Sequence, residues 1–158
     1  MSKIGYCLML EDDPSGRNNF VCEELNRVGF DWVSPYFTQR NDEDGKLGCF
    51  LAHQNALKES LKNLDAQHIF IFEDDVFFKS NIDMNVVCEN SINILDTHDI
   101  VSLGAVAVGP LKHIIGKFYC GKFNFMHAYC VNRKAALKIC ELEYKNVHID
   151  YAISSSTD

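Results

Sequence analysis

A chain of 158 residues, 47% of them hydrophobic and with a formal charge of −7, can bury one sizeable core but is short for gripping two large substrates. The acidic balance and the lack of interleaved basic and aromatic patches argue against nucleic acid as the main partner, and no apolar run approaches the length of a membrane span. Met1-Ser2-Lys3 leads into only a short apolar run, which predicts no cleaved signal peptide and a cytoplasmic location; the seven cysteines are odd in number, lack a Cys-x-x-Cys pair, and read as reduced core thiols rather than disulfides or a zinc site.

In chain order, Ile4 to Leu10 reads as a first strand. Asp12 or Asp13 then caps a helix with Pro14 in its first turn, Phe20, Leu25 and Val28 on its apolar side, and Gly29 as its stop. Phe30 to Phe37 is a second strand broken by Pro35, and residues 39–45 form a polar loop. Phe50, Leu57, Leu61 and Leu64 recur at helical spacing, predicting a helix over 46–64 with His53 at the edge of its apolar face. The β-branched and aromatic run from His68 to Phe72 predicts a buried central strand. Beyond it come a helix over 83–95, a strand over 99–103, a glycine-containing loop, a strand over 125–131 and a helix over 133–142. This alternation predicts an α/β fold, a mainly parallel sheet sandwiched by helices, in one small domain spanning 1–158. A second large substrate is expected to meet a shallow surface or a partner.

The central strand ends in Glu73-Asp74-Asp75. Side chains alternate along a strand, so Glu73 and Asp75 are expected on one side and Asp74 on the other. Carboxylates this close repel and raise one another's pKa unless a cation neutralises them. Hard oxygen donors suit Mg²⁺ or Mn²⁺, typically shared with a substrate diphosphate, and ligands of open α/β sheets gather beyond the carboxyl ends of the strands. The same acids would also serve merely to cap the following turn. Residues 100 to 140 carry Lys112, Lys117, Lys122, Arg133, Lys134 and Lys138 and no acid, so this segment is +6 and the remainder −13. A basic face opposite the acids would suit a metal-bound diphosphate; ordinary solvated lysines would produce the same count.

Two families compete for these residues. Met9-Leu10-Glu11-Asp12-Asp13-Pro14 looks like the opening of a response-regulator receiver domain, with Asp74 or Asp75 as phosphoacceptor. Against it stand a gap of roughly sixty residues between the two acidic sites and the absence of any Lys-Pro dipeptide. Gly45-Lys46-Leu47-Gly48-Cys49-Phe50-Leu51-Ala52-His53 followed by Ile71-Phe72-Glu73-Asp74-Asp75 resembles glycosyltransferase family 25, whose pattern is Gly-Glu-x-Gly-Cys-x-x-Ser-His and then an apolar strand ending in Glu-Asp-Asp. Asp99 to Gly104, His127-Ala128-Tyr129 with Arg133-Lys134, and His148-Ile149-Asp150 are similar to later segments of that family. Lys46 stands where the family usually has Glu, Ala52 where it has Ser, and Met9 where it often has Asn.

The resemblance implies a GT-A-like nucleotide-binding sandwich and a metal-dependent, inverting transfer of a hexose, galactose or glucose, from a nucleotide-sugar, with UDP expected. The acceptor would be a hydroxyl of a glycan, lipid-linked glycan or protein, and the chain is shorter than full members, so part of the acceptor region is expected to be missing. Glu73, Asp74 and Asp75 would then hold Mn²⁺ or Mg²⁺, His148 would complete the metal shell, and Asp150 would be the general base, although His148 and Asp150 would equally cap a terminal helix. Arg17, Lys112, Lys117 and Arg133 would face the nucleotide-sugar, with His53 as an interior histidine ordering that side and Tyr129 as a core residue with a tethered hydroxyl. A catalytically silent sugar-nucleotide-binding module would share all of this except turnover.

Overall fold

The computed structural model describes residues 2–116 and 118–156. In chain order the elements are β1 (Ser2–Leu10), α1 (Arg17–Arg27), β2 (Val33–Thr38), α2 (Gly45–Lys62), β3 (Ala66–Glu73), α3 (Met84–Ile94), β4 (Ile100–Ala107), β5 (Lys112–Ile115), β6 (Phe118–Cys120), β7 (Phe123–Asn132), α4 (Arg133–Cys140) and α5 (Ile149–Ser156). Five strands form one sheet in the order β2-β1-β3-β7-β4, and β5 and β6 pair as a separate ribbon. β1 is parallel to β2 and β3, whereas β7 is antiparallel to both β3 and β4. The α/β sandwich with a mainly parallel central sheet is therefore present, with one reversed strand inside it.

That reversed strand corrects the receiver reading. A receiver sheet is wholly parallel, and here β7 runs backwards between β3 and β4. Asp13 is occupied locally: its carboxylate accepts hydrogen bonds from Ser15 Oγ at 2.6 Å and Asn18 N at 2.7 Å. This turn carries the chain through Gly16, in the left-handed region at φ 74°, and delays the helix to Arg17 instead of starting it at Pro14.

Strand alternation sorts the core onto two faces. Phe70 and Phe72 of β3 join Cys7, Met9 and Val101 beneath α1 and α3, which contribute Val21, Leu25 and Cys88. Ile69 and Ile71 join Leu8, Tyr129 and Val131 beneath α2, α4 and α5, which contribute Phe50, Leu57, Ile139 and Ile153. All four β3 residues are fully buried, and each such side chain contributes about 1.5–3 kcal/mol of transfer free energy. β3 is thus covered on both sides, which explains its unbroken apolar run.

Three local expectations need correcting. β2 runs through Pro35 because it is an edge strand pairing only with β1, where a missing N–H costs no ladder bond. Phe20 is 46% exposed and stacks on Phe77 instead of facing the core. The glycine-containing loop after residue 103 is instead an extension of β4 and the β5–β6 ribbon, whose short, exposed strands carry little apolar alternation.

Candidate active site

β3 delivers its carboxylates to two different neighbours. Glu73 continues the Ile69 and Ile71 parity and faces α2; Asp74 continues the Phe70 and Phe72 parity and faces α1. On the α1 side, Arg17 Nη1 lies 3.7 Å from Asp74 Oδ1. Burial pushes the Asp74 carboxyl pKa up and Arg17 pulls it down, while Asp75, Glu73 and Asp13 add to the rise. This is the like-charge crowding that the triplet implied.

On the α2 side, the helix begins where Asp44 accepts hydrogen bonds from Lys46 N at 3.0 Å and Leu47 N at 3.1 Å, and Tyr144 OH donates to the same carboxylate at 2.5 Å. Gly48 lets the preceding loop pack against the helix, because a Cβ there would come within 2.9 Å of Asn41 Cβ. Cys49 and His53, one turn apart, then face Glu73. His53 is 1% exposed, an interior histidine. Its Nε2–H donates to Glu73 Oε1 at 3.0 Å, and Nδ1 sits 3.0 Å from Tyr129 OH. Burial works against charge on this imidazole; the Tyr129 hydroxyl, the Cys49 thiol and the Glu73 carboxylate work for it, and the balance holds its pKa well above that of a free histidine.

β7 supplies a group that sequence reasoning did not assign to the site. Because Phe72 pairs with Ala128, the next positions bring Glu73 beside His127. His127 Nδ1 lies 2.9 Å from Asp75 Oδ1 and 3.5 Å from Glu73 Oε2. One ligand atom from each of Glu73, Asp75 and His127 lies within 4.8 Å of the others. All three side chains are partly open to solvent, at 27%, 39% and 45%. Two carboxylates and an imidazole at this separation fit a divalent cation, and the mixed donor set suits Mn²⁺ more than the oxygen-seeking Mg²⁺.

His148, expected to complete the metal shell, does not belong to either grouping of metal-ligating residues among the described residues, whereas His127 belongs to one of them. His148 instead lines a cavity of about 400 Å³ with Lys46, Asn124, Asn146, Val147, Asp150 and Tyr151. Lys46 lies in the first turn of α2 and Asn124 lies on β7 three residues before His127, so this cavity opens at the same end of the sheet as the acids. Lys46 Nζ donates to Asn146 Oδ1 at 3.2 Å, and Asn146 sits in the left-handed region at φ 56°.

Three of the six cations expected to face the acids, Arg133, Lys134 and Lys138, lie elsewhere. Arg133 donates to the carbonyls of Leu61, Asn63 and Ala66, at the start of β3 and the end of the sheet remote from the acids. Lys134 and Lys138 pair with Asp99 at that same remote end, where a cavity of about 550 Å³ opens beside His68 and Asn132. Arg133 is therefore withdrawn from the nucleotide-sugar set: α4 starts where β7 ends, and β7 runs away from the acids. Lys112 is exposed on the ribbon, which leaves the sheet from the acidic end of β4, and Lys117 lies outside the described residues. Among the described residues, Arg17 and His53 are the two members of that set the fold brings against the carboxylates.

An α/β sandwich with clustered acids at the end of its central strand defines the class. The chain belongs to glycosyltransferase family 25, described also as LPS biosynthesis protein, whose pattern matches residues 28–113, more than half its length. It is accordingly a glycosyltransferase. The match contains α2 and the acidic triplet, while His127 and Asp150 lie beyond it. No curated protein matches the chain. Among solved structures it is similar to A197 from STIV, at 14% identity and TM-score 0.62, covering 99% of this chain and 78% of that one. It is also similar, at 9% identity and TM-score 0.48, to a glycosyltransferase involved in the glycosylation of the major capsid of PBCV-1, covering 86% of this chain and 63% of that one.

Proposed function

We propose that this enzyme moves a hexose, galactose or glucose, from a UDP-sugar to a hydroxyl of a glycan, lipid-linked glycan or protein, with inversion at the anomeric carbon. The observation that carries the reading is the grouping of Glu73, Asp75 and His127 at the end of β3 in a family 25 chain. These three residues would hold Mn²⁺, or less favourably Mg²⁺, against the donor diphosphate. Bound there, the ion supplies Lewis-acid neutralisation of the leaving diphosphate.

The chain's own groups account for the rest. His53, held between Tyr129 and Glu73, fixes the orientation of one carboxylate. Arg17, 57% exposed beside Asp74, is positioned to reach diphosphate oxygens. The cavity that Asp150 lines is the acceptor side, with Asn124, Asn146 and Lys46 as hydrogen-bonding groups for sugar hydroxyls and the half-exposed Tyr151 as a ring to stack on. The acceptor oxygen attacks the anomeric carbon, its proton passes to the Asp150 carboxylate, and the bond to the diphosphate breaks with its electron pair leaving on UDP. A single unit spanning 1–158 would thus hold the donor site and at least part of the acceptor site. Free thiols at Cys7, Cys22, Cys49, Cys88, Cys120, Cys130 and Cys140 fit a reducing, cytoplasmic setting.

The test is transfer from UDP-galactose and UDP-glucose with Mn²⁺, with the product's anomeric configuration read by NMR coupling constants. A β-glycoside is expected from the α-linked donor, and Asp150→Asn should lower kcat by a factor of about 10² to 10⁴ with donor affinity unchanged. A retained configuration rejects the single displacement. Donor binding without turnover on any acceptor would establish the silent-module reading instead.

A further inference from the structure

The sequence argued against zinc because its cysteines are scattered, yet the fold brings one of them to an imidazole and a carboxylate. Cys49, His53 and Glu73 each offer a ligand atom within 4.8 Å of the other two. Cys49 and His53 are four residues apart on α2, a spacing that puts two ligands on one helix face. The other nitrogen of His53 is held at 3.0 Å by the buried Tyr129 hydroxyl, the kind of outer contact that fixes a ligating imidazole's tautomer and orientation. Zinc bonds of about 2.0 to 2.3 Å put tetrahedral ligand atoms about 3.3 to 3.7 Å apart, so ligation asks for side-chain adjustment and no movement of the backbone. Glu73, 27% exposed at the strand end, leaves a way in.

We propose that Cys49, His53 and Glu73 form a binding site for a soft divalent ion of the zinc class, and that it shares Glu73 with the Glu73, Asp75 and His127 set. Zn²⁺ entering it takes the place of the proton that His53 Nε2 shares with Glu73, so that this proton and the Cys49 thiol proton are both released to solvent, and takes Glu73 away from a hard ion at the neighbouring set. A thiolate favours Zn²⁺ over Mn²⁺ and Mg²⁺, so the two positions differ in preference while competing for one carboxylate. The competition rests on the proposed hard-ion set; the soft site itself does not.

The experiment uses Co²⁺ as a spectroscopic stand-in for Zn²⁺, added to the chelator-treated full chain carrying Cys22→Ser and Cys120→Ser to remove the exposed thiols. A near-ultraviolet thiolate-to-cobalt charge-transfer band is expected, abolished by one equivalent of Zn²⁺ and missing when Cys49→Ser or Cys49→Ala is added. No band, or a band that survives both Cys49 variants, overturns the site. Mn²⁺ binding followed by electron paramagnetic resonance should weaken at least tenfold when Zn²⁺ is present, and not in the Cys49 variants; Mn²⁺ binding indifferent to Zn²⁺ overturns the sharing. Failure of Mn²⁺ to bind without Zn²⁺ would sink the hard-ion set alone, with the cobalt band still deciding the soft site.

Discussion

His127 Nδ1 lies 2.9 Å from Asp75 Oδ1 although the two residues are 52 positions apart. Their meeting depends on β7 lying antiparallel beside β3 with Phe72 opposite Ala128. The same register sets Tyr129 against His53 and so fixes the far side of Glu73 as well. His127 and Tyr129, two positions apart on one strand, therefore organise both flanks of the carboxylate cluster.

If Glu73, Asp75 and His127 hold the donor's cation, UDP-sugar binding should require Mn²⁺ or Mg²⁺. Calorimetry should show donor stabilisation of about 2.7 kcal/mol at a hundredfold excess over Kd, lost with a chelator and much reduced in His127→Ala. Equal binding with and without chelator would reject the cation bridge.

Asp75→Asn should abolish transfer with the fold intact, whereas Asp12→Asn and Asp13→Asn should leave transfer nearly unchanged. Asp13 ties down the turn before α1 through Ser15 and Asn18, so its replacement should affect the local turn and leave activity little changed. Loss of metal binding in the Asp12 and Asp13 variants, with Asp75→Asn still competent, would reverse the assignment.

Glu24 should make stability depend on acid pH. Its carboxylate, 5% exposed, accepts hydrogen bonds from Arg27 Nε at 2.8 Å, Arg27 Nη2 at 2.6 Å and Phe78 N at 2.7 Å, joining α1 to the segment after the acidic triplet. The Arg27 hydrogen bonds, partly opposed by burial and aided by Phe78 N, hold its pKa below the usual 4.5. A folded-state pKa below the unfolded one contributes stability that is present above the unfolded value and is lost as pH falls through the folded one. Glu24→Gln should therefore cost about 1.5 to 3 kcal/mol at pH 7, with the gap to the native chain closing on acidification below that range. Urea unfolding at a series of pH values measures it, and a gap independent of pH would remove the ionic explanation.

Two glycines of α2 should respond differently to alanine. Ala gains up to about 1 kcal/mol of helix propensity over Gly, but at Gly48 the new Cβ meets Asn41 Cβ at 2.9 Å, and overpacking costs about 1 to 3 kcal/mol. Gly48→Ala should lower Tm, while Gly45→Ala, with nothing within 4 Å of its Cβ, should not. Equal melting temperatures for the two variants would show that the residue 41 loop yields freely.

The acid-tipped strand was legible in the sequence because its information is local. A run of apolar residues buried on both faces must be a central strand, and alternation alone separates Glu73 and Asp75 from Asp74. The helix carrying Cys49 and His53 was legible for the same reason, since helical spacing puts residues four apart on one face. Which imidazole joins the acids was not, because the chain offers His98, His113, His127 and His148 downstream and no local pattern ranks them. Arg133 illustrates the converse: a cation in a segment free of acids looked like a phosphate ligand, yet it closes carbonyls at the remote end of the sheet. Periodicity decides which face a side chain takes. Strand direction and register, set by burying two whole faces at once, decide which side chains it meets there.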